Sequence, residues 1–400
     1  MNEQAPAEDF DVFAEETFGS AYEEFRRLRN ECPMARSEGF GGFWMATRYE
    51  DVAKMLRDDN YITSVRNIVP GSSNLMRTPP LRYDPPEHTP YRRTLDRALS
   101  KGRVERLGPS IRRHSEDLLD EFIALGEGDY VELVGSKLPM LAFGDWMGMT
   151  AEQTQRMWEL SRIYIRAFVA YDRPTVAQCV EGFIEVAREL IAHRRANPRP
   201  AAECPVASLM EAERDGEVLM TEDLLLNCVR QVLVVGMAAP PMIFASMIVH
   251  LCEHPELFDR LRTMYREDPT VSARAMEEFV RLYTPYRGFA RSSKTEVEWH
   301  GRKIVPGEAI ALSFASANRD ERMFENPDEF ILDRPNIRKH LAFGAGAHQC
   351  AGMPIARLQM TIGLETLLEK VGTMELAGEL KMSSMPEIGP IAVPIRVTAA

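Results

Sequence analysis

Cysteine is sparse and unpatterned in this 400-residue chain. Cys32, Cys179, Cys204, Cys228, Cys252 and Cys350 include no CxxC pair and no framework spacing, which argues against a disulfide scaffold or a structural zinc site and fits a reducing cytoplasm. A basic tract is missing as well. The formal net charge is −12, and a protein that grips phosphates needs a basic face, so nucleic acid is not expected as a partner. Residues 1–16 are acidic and lack both the positive region and the apolar core of a secretory leader. There is no internal repeat and no low-complexity segment.

Uncharged runs of 18 residues or more are absent too, with one exception. Residues 232–249 carry no formal charge over 18 positions, which reaches the length of a membrane-span candidate. Pro240 and Pro241 interrupt it, and Arg230 and His250 flank it. A long helix buried through the centre of a protein outside the membrane accounts for the run better.

What is present is an ordinary globular composition, 45% hydrophobic and 27% charged, enough to bury a large core. Helical spacing of apolar residues marks 21–29, 49–57, 92–125, 151–170, 174–194 and 221–252. Short strands are expected at 43–47, in a hairpin over 296–314, and near the C-terminus from 388. The proline- and glycine-rich stretch 60–83 reads as irregular loop, and long loops in compact domains tend to be functional. The expected fold class is mainly α with small β-sheets.

The most informative stretch is Phe-Gly-Ala-Gly-Ala-His-Gln-Cys-Ala-Gly over 343–352. Gly344, Gly346 and Gly352 allow tight bends, and an apolar run that reads as a helix follows. A thiolate at a helix N-terminus is favoured by the dipole and the unpaired N–H groups, and the same groups can tune a ligated sulfur. On spacing alone, Cys350 is either an iron ligand or a small buried residue in a turn. The stretch resembles the haem-binding loop of the cytochrome P450 family, Phe-Gly-x-Gly-x-His-x-Cys-x-Gly, at every fixed position.

Other blocks carry the same resemblance in family order. Glu278 and Arg281 lie three apart on one helical face, followed by Ala317-Asn318-Arg319-Asp320 and by Pro-x-x-Phe-x-x-x-Arg ending at Arg334. Asp84-Pro85-Pro86-Glu87-His88-Thr89-Pro90-Tyr91-Arg92 resembles the start of the helix beside the haem. The likeness runs from about 22 to 395. It implies a cytochrome P450 fold with residues 1–20 as a tail and 21–400 as a single large domain, crossed by a long central kinked helix over the haem. It further implies haem b with Cys350 as axial ligand and with Phe343 and Gly352 among the cofactor contacts. His88, Arg92, Arg291 and His348 would hold the propionates, and Glu278, Arg281 and Arg334 would form a structural triad.

The central helix departs from the family. Gly236-Met237-Ala238-Ala239-Pro240-Pro241 aligns with Gly-x-(Asp or Glu)-Thr-Thr, so Ala238 replaces the acid and Ala239 the alcohol that in the family organise water and deliver protons. Neither alanine can relay a proton. Pro240 and Pro241 should bend the helix and free carbonyls to anchor water in an oxygen groove; a bend that serves packing alone is the other reading.

The resemblance implies a monooxygenase that takes O2 and two electrons from a separate ferredoxin and its reductase, in the cytoplasm and without a membrane. Arg97, Arg103, Arg106, Arg112, Arg113 and Arg357 form either a docking face for an acidic ferredoxin or a solvated neutral face. The pocket should draw on 60–83, 160–185, the central helix, 285–290 and 387–392. Met76, Phe168, Val235, Phe244, Phe289 and Ile388 there favour a small apolar, aromatic or terpenoid substrate, hydroxylated or O-demethylated. Arg287 points outward or reaches in to hold a carboxylate or phenol, with outward the preferred reading. Two alternatives keep the haem: a peroxide-using or atypical enzyme of coupling or rearrangement, and a non-catalytic haem ligand-binding protein.

Overall fold

The computed structural model describes residues 8–14, 21–59, 62–69, 71, 78–201, 203–214, 216–236, 239–383 and 386–400. The chain divides into two compact units, one of residues 1–88, 278–350 and 382–388, the other of 89–277, 351–381 and 389–400.

The first unit is built on a five-stranded sheet in the order Met34–Ser37, Phe43–Ala46, Ala309–Leu312, Phe289–Ser293, Ile62–Thr63. Phe43–Ala46 pairs antiparallel with Met34–Ser37 and parallel with Ala309–Leu312, in the register Trp44 to Ile310. Strands buried on both faces read as unbroken apolar runs, and Phe43–Ala46 and Ala309–Leu312 are buried at every position. Phe25, Leu28, Phe43, Met45 and Ile388 form one core cluster, while Trp44, Met55, Ile310, Leu312 and Leu341 form another. The expected hairpin is present: Val297–Trp299 pairs with Arg302–Ile304 around His300 and Gly301, both at positive φ, the pairing of conformations that a two-residue turn uses.

The second unit is mainly helical. Gly108–Leu125, Lys137–Met147, Ala151–Val169, Arg173–Ala196, Glu222–Val235, Ala239–Glu253 and Met353–Lys370 make up its long elements, packed around Phe143, Trp146, Phe183, Leu190 and Leu233. Thr150 opens Ala151–Val169 with a reciprocal capping box to Gln153, which satisfies two end donors.

The long central helix expected over 221–252 is present at 222–253. Its described parts are Glu222–Val235, followed by Gly236, and Ala239–Glu253. Pro240 and Pro241 lie buried in the latter part and offer no backbone donor. The stretch 222–253 is long and apolar enough to cross a membrane by composition, but 69% of its most apolar window is buried within the protein.

Candidate functional site

The loop bearing Cys350 is closed by its own backbone. Gly344 N–H donates to the Leu341 carbonyl at 2.8 Å, Gln349 to Gly346 at 3.1 Å, and Cys350 to Phe343 at 2.8 Å. Gly346 sits at φ 72°, and a Cβ there would lie 2.2 Å from the Leu56 carbonyl oxygen, so this turn admits glycine alone. The loop leaves Cys350 exposed. All six cysteines carry thiols.

Glu278, Arg281 and Arg334 meet in the interior of the same unit. Their relative exposures are 1%, 0% and 3%. Arg281 makes a two-pronged contact with Glu278 at 2.9 and 2.8 Å, and Arg334 donates to the same carboxylate at 3.0 Å. The spare guanidinium donors go to backbone carbonyls: Arg281 to Asn318, Pro327 and Glu329, Arg334 to Glu325, Asn326 and Glu329. Burial pulls the Arg281 guanidinium below its ordinary value, against the raising effect of Glu278. Asn318 carries this network onward, donating to the Thr284 hydroxyl and accepting from Leu341 N–H, both at 2.6 Å. The cysteine loop is therefore tied to the buried cluster through one amide side chain. Sequence reasoning quoted Asn318 without seeing this link.

His88 is 3% exposed and its ring centroid lies 4.5 Å from that of His348. Arg291 is 8% exposed. Burial pushes its guanidinium down to about 10, opposed by Asp84 and Asp59. Among the described residues its one hydrogen bond is to the Ala290 carbonyl, at 2.8 Å. A buried cation without a hydrogen-bonded carboxylate among the described residues fits an acidic group brought by a cofactor, and an exposed thiol on a hydrogen-bonded loop fits an iron ligand. The residues present suit a haem.

Arg287 overturns the preferred outward reading, because it is fully buried. It lies in 285–288, clasped to 386–388 by hydrogen bonds from Arg287 and Gly288 N–H to the Pro386 carbonyl and from Ile388 N–H to the Pro285 carbonyl. Gly288 is fixed by crowding, since a Cβ would come within 2.5 Å of the Val69 carbonyl oxygen.

In the second unit, the helix cap Gly236 packs on Phe143, 2.8 Å from where its Cβ would lie. Ala239 is half-buried and Pro240 buried; Met237 and Ala238 lie outside the described residues, as does Met76 of the first unit. Arg92 pairs with Asp96 at 2.8 Å, and Gly352 caps Met353–Lys370. Val235 is exposed and Phe168 stacks on Tyr164. Phe244 is no lining residue: it is fully buried and fills the space beside Gly363. Ile388 is likewise in the core of its own unit. The set of six arginines shrinks, because Arg112 pairs with Glu365 and Glu369 and Arg357 with Glu277. Arg97, Arg106 and Arg113 remain exposed.

A family model described as Cytochrome P450 matches residues 136–376. Cytochrome P450 107B1 of Saccharopolyspora erythraea is 30% identical over 92% of this chain and 90% of its own length. Linalool 8-monooxygenase of Pseudomonas putida is 29% identical, over 89% of this chain and 90% of its own. Among solved structures, the bacillaene polyketide synthase cytochrome P450 PksS of Bacillus subtilis superposes with a TM-score of 0.86 at 27% identity, covering 97% of this chain and 100% of that one. CYP109Q5 from Chondromyces apiculatus gives 0.85 at 26% identity, covering 98% of each.

Proposed function

The chain belongs to the cytochrome P450 family of haem-thiolate monooxygenases, and from that premise we propose that Cys350 is the thiolate ligand and that the substrate is a small apolar, aromatic or terpenoid molecule, hydroxylated or O-demethylated. The observation that carries this reading is the Cys350 loop, with its thiol exposed on a glycine turn and its backbone anchored through Asn318 to the buried Glu278 cluster. The absorption spectrum of the reduced, carbon monoxide-bound protein tests it. A protein that binds no haem, or gives the short-wavelength band of a neutral ligand, overturns it.

Haem, when bound, supplies the oxygen-activating and bond-making chemistry. The chain's task is to hold it, to exclude bulk water and to place protons. His88, Arg92, Arg291 and His348 would bind the propionates, whose burial requires cationic or hydrogen-bonding partners, and Phe343 and Gly352 would flank the ring. A terpenoid is supported by the relative named linalool 8-monooxygenase.

Protons need a route that does not use position 238 or 239. Pro240 has no N–H, so the Gly236 carbonyl oxygen has no helical donor four residues on and can accept from water instead. A water held there replaces the missing alcohol. With its native substrate the enzyme is then expected to couple reductant to product; stoichiometric peroxide release in place of product rejects the water route. The two alanines also favour a second reading, direct use of peroxide, which turnover faster with hydrogen peroxide than with a ferredoxin system would establish.

Electrons would come from a separate ferredoxin and reductase in the cytoplasm, with 21–400 acting as one domain. Arg97, Arg106 and Arg113 would meet the ferredoxin; burial first, then repulsion from Arg106, lowers the Arg103 guanidinium. Reversing Arg97, Arg106 and Arg113 to glutamate is expected to slow ferredoxin-driven reduction by about tenfold or more at low salt, in stopped-flow measurements. An unchanged rate rejects this docking face.

A further inference from the structure

The clasp between 285–288 and 386–388 presents one acidic group that the function described so far does not use. Tyr286 and Glu387 are antiparallel bridge partners, and directly opposed residues of such a pair share a face. Their sequence neighbours turn the other way: Arg287 is fully buried and Ile388 is 5% exposed in the core. Tyr286 and Glu387 are each half-buried, so both segments show the same alternation, with one member in the core and one at its margin.

That margin lies toward the cysteine loop. Burial first, then the charges of Glu387 and Cys350, push the Tyr286 phenol above its ordinary range. A run of aromatic contacts leads the same way. The Tyr286 ring is 4.2 Å from Phe289, Phe289 is 5.7 Å from Phe314, and Phe314 is 3.9 Å from where a Cβ on Gly344 would lie.

Among the described residues no side chain donates to the Glu387 carboxyl. Its own backbone N–H and the charge of Arg287 act on it, yet burial prevails and pushes it up to about 7. A half-desolvated carboxyl on a main-chain clasp, without a side-chain donor among the described residues, is complementary to a donor on a ligand.

We infer that Glu387 is a specificity-determining residue that recognises a hydrogen-bond donor, an ammonium or hydroxyl group, on the substrate. The inference rests on the monooxygenase reading and adds a polar requirement to an otherwise apolar substrate. Tyr286 is the neighbouring group that orients the contact.

The test is equilibrium dialysis of the haem-loaded protein against N,N-dimethyl-2-phenylethylamine, 2-phenylethanol and ethylbenzene, repeated on Glu387→Gln and Glu387→Asp. The native protein is expected to bind the amine or the alcohol at least about tenfold more tightly than ethylbenzene, as a charge-assisted hydrogen bond provides. Glu387→Gln should remove most of an amine preference while changing ethylbenzene affinity less than about twofold; an alcohol preference that survives in Gln and falls in Asp identifies a hydroxyl donor. Equal binding of all three probes by the native protein overturns the inference, as does a preference that neither variant alters. The carbon monoxide spectrum is recorded on each sample. A thiolate band with no donor preference defeats this inference alone, whereas absence of the band in the native protein defeats the monooxygenase reading.

Discussion

Cys350→His is expected to fold, to take up haem and to lose the long-wavelength carbon monoxide band of the native protein, with monooxygenase turnover falling by more than about 100-fold, beyond the loss of an outer-shell partner. The fold should survive because the substituted side chain is exposed and the loop is held by other means. The Cys350 N–H to Phe343 hydrogen bond is main-chain, and the turn depends on Gly344 and Gly346. The chemistry should not survive, because a neutral imidazole cannot match the electron donation of an anionic sulfur. Cys350→Ser separates the two effects, since its hydroxyl is a weaker ligand at nearly the same volume. If Cys350→His retains the native spectrum, another group ligates the iron and the assignment fails.

How much of this site could be read from residue order depends on the separation of the partners. The Cys350 loop is contiguous, so glycine spacing and the following helix carry it. The Glu278 to Arg281 spacing is equally local, but nothing local reveals that the pair is buried, or that the carbonyls of Asn318, Pro327 and Glu329 receive its donors. The basic face shows the same limit in reverse. Arg357 looks uncompensated in sequence because Glu277 lies 80 positions away, and the Glu365 and Glu369 partners of Arg112 lie 253 and 257 positions away, with only Glu116 close in sequence.

The fold divides along similar lines. Helical periodicity places Ala151–Val169 and Arg173–Ala196 within a few residues, but it reads 92–125 as one run where the chain forms three helices, and it misses Lys137–Met147; the hairpin around His300 and Gly301 is announced by its turn. The five-stranded sheet is not legible, because its strands are two to five residues long and come from opposite ends of the chain. The long central helix is legible from its uncharged run, and it spans 222–253. Arg287 defeats a general rule: arginine is mostly exposed, and here a clasp of main-chain hydrogen bonds between distant segments encloses it.

Glu278→Ala is expected to be the most destabilising single substitution in the first unit, lowering stability by about 3–5 kcal/mol, a large fraction of the roughly 5–15 kcal/mol of a typical fold. The carboxylate compensates two guanidinium groups, Arg281 and Arg334, and also accepts from Ile331 N–H at 3.1 Å. Removing it leaves two buried cations facing one another, and the loss should pass through Asn318 to Leu341 and reduce haem retention. Urea denaturation and the haem-to-protein ratio measure both effects. Glu24→Ala is the control, because Glu24 and Arg27 have the same spacing of three and a contact of 2.7 Å, yet Arg27 is 40% exposed. Solvent and salt screen that pair, so its removal should change stability by less than about 1 kcal/mol. Equal losses in the two variants would mean that burial does not set the worth of the Glu278 cluster, and its role in holding the cysteine loop would have to be abandoned.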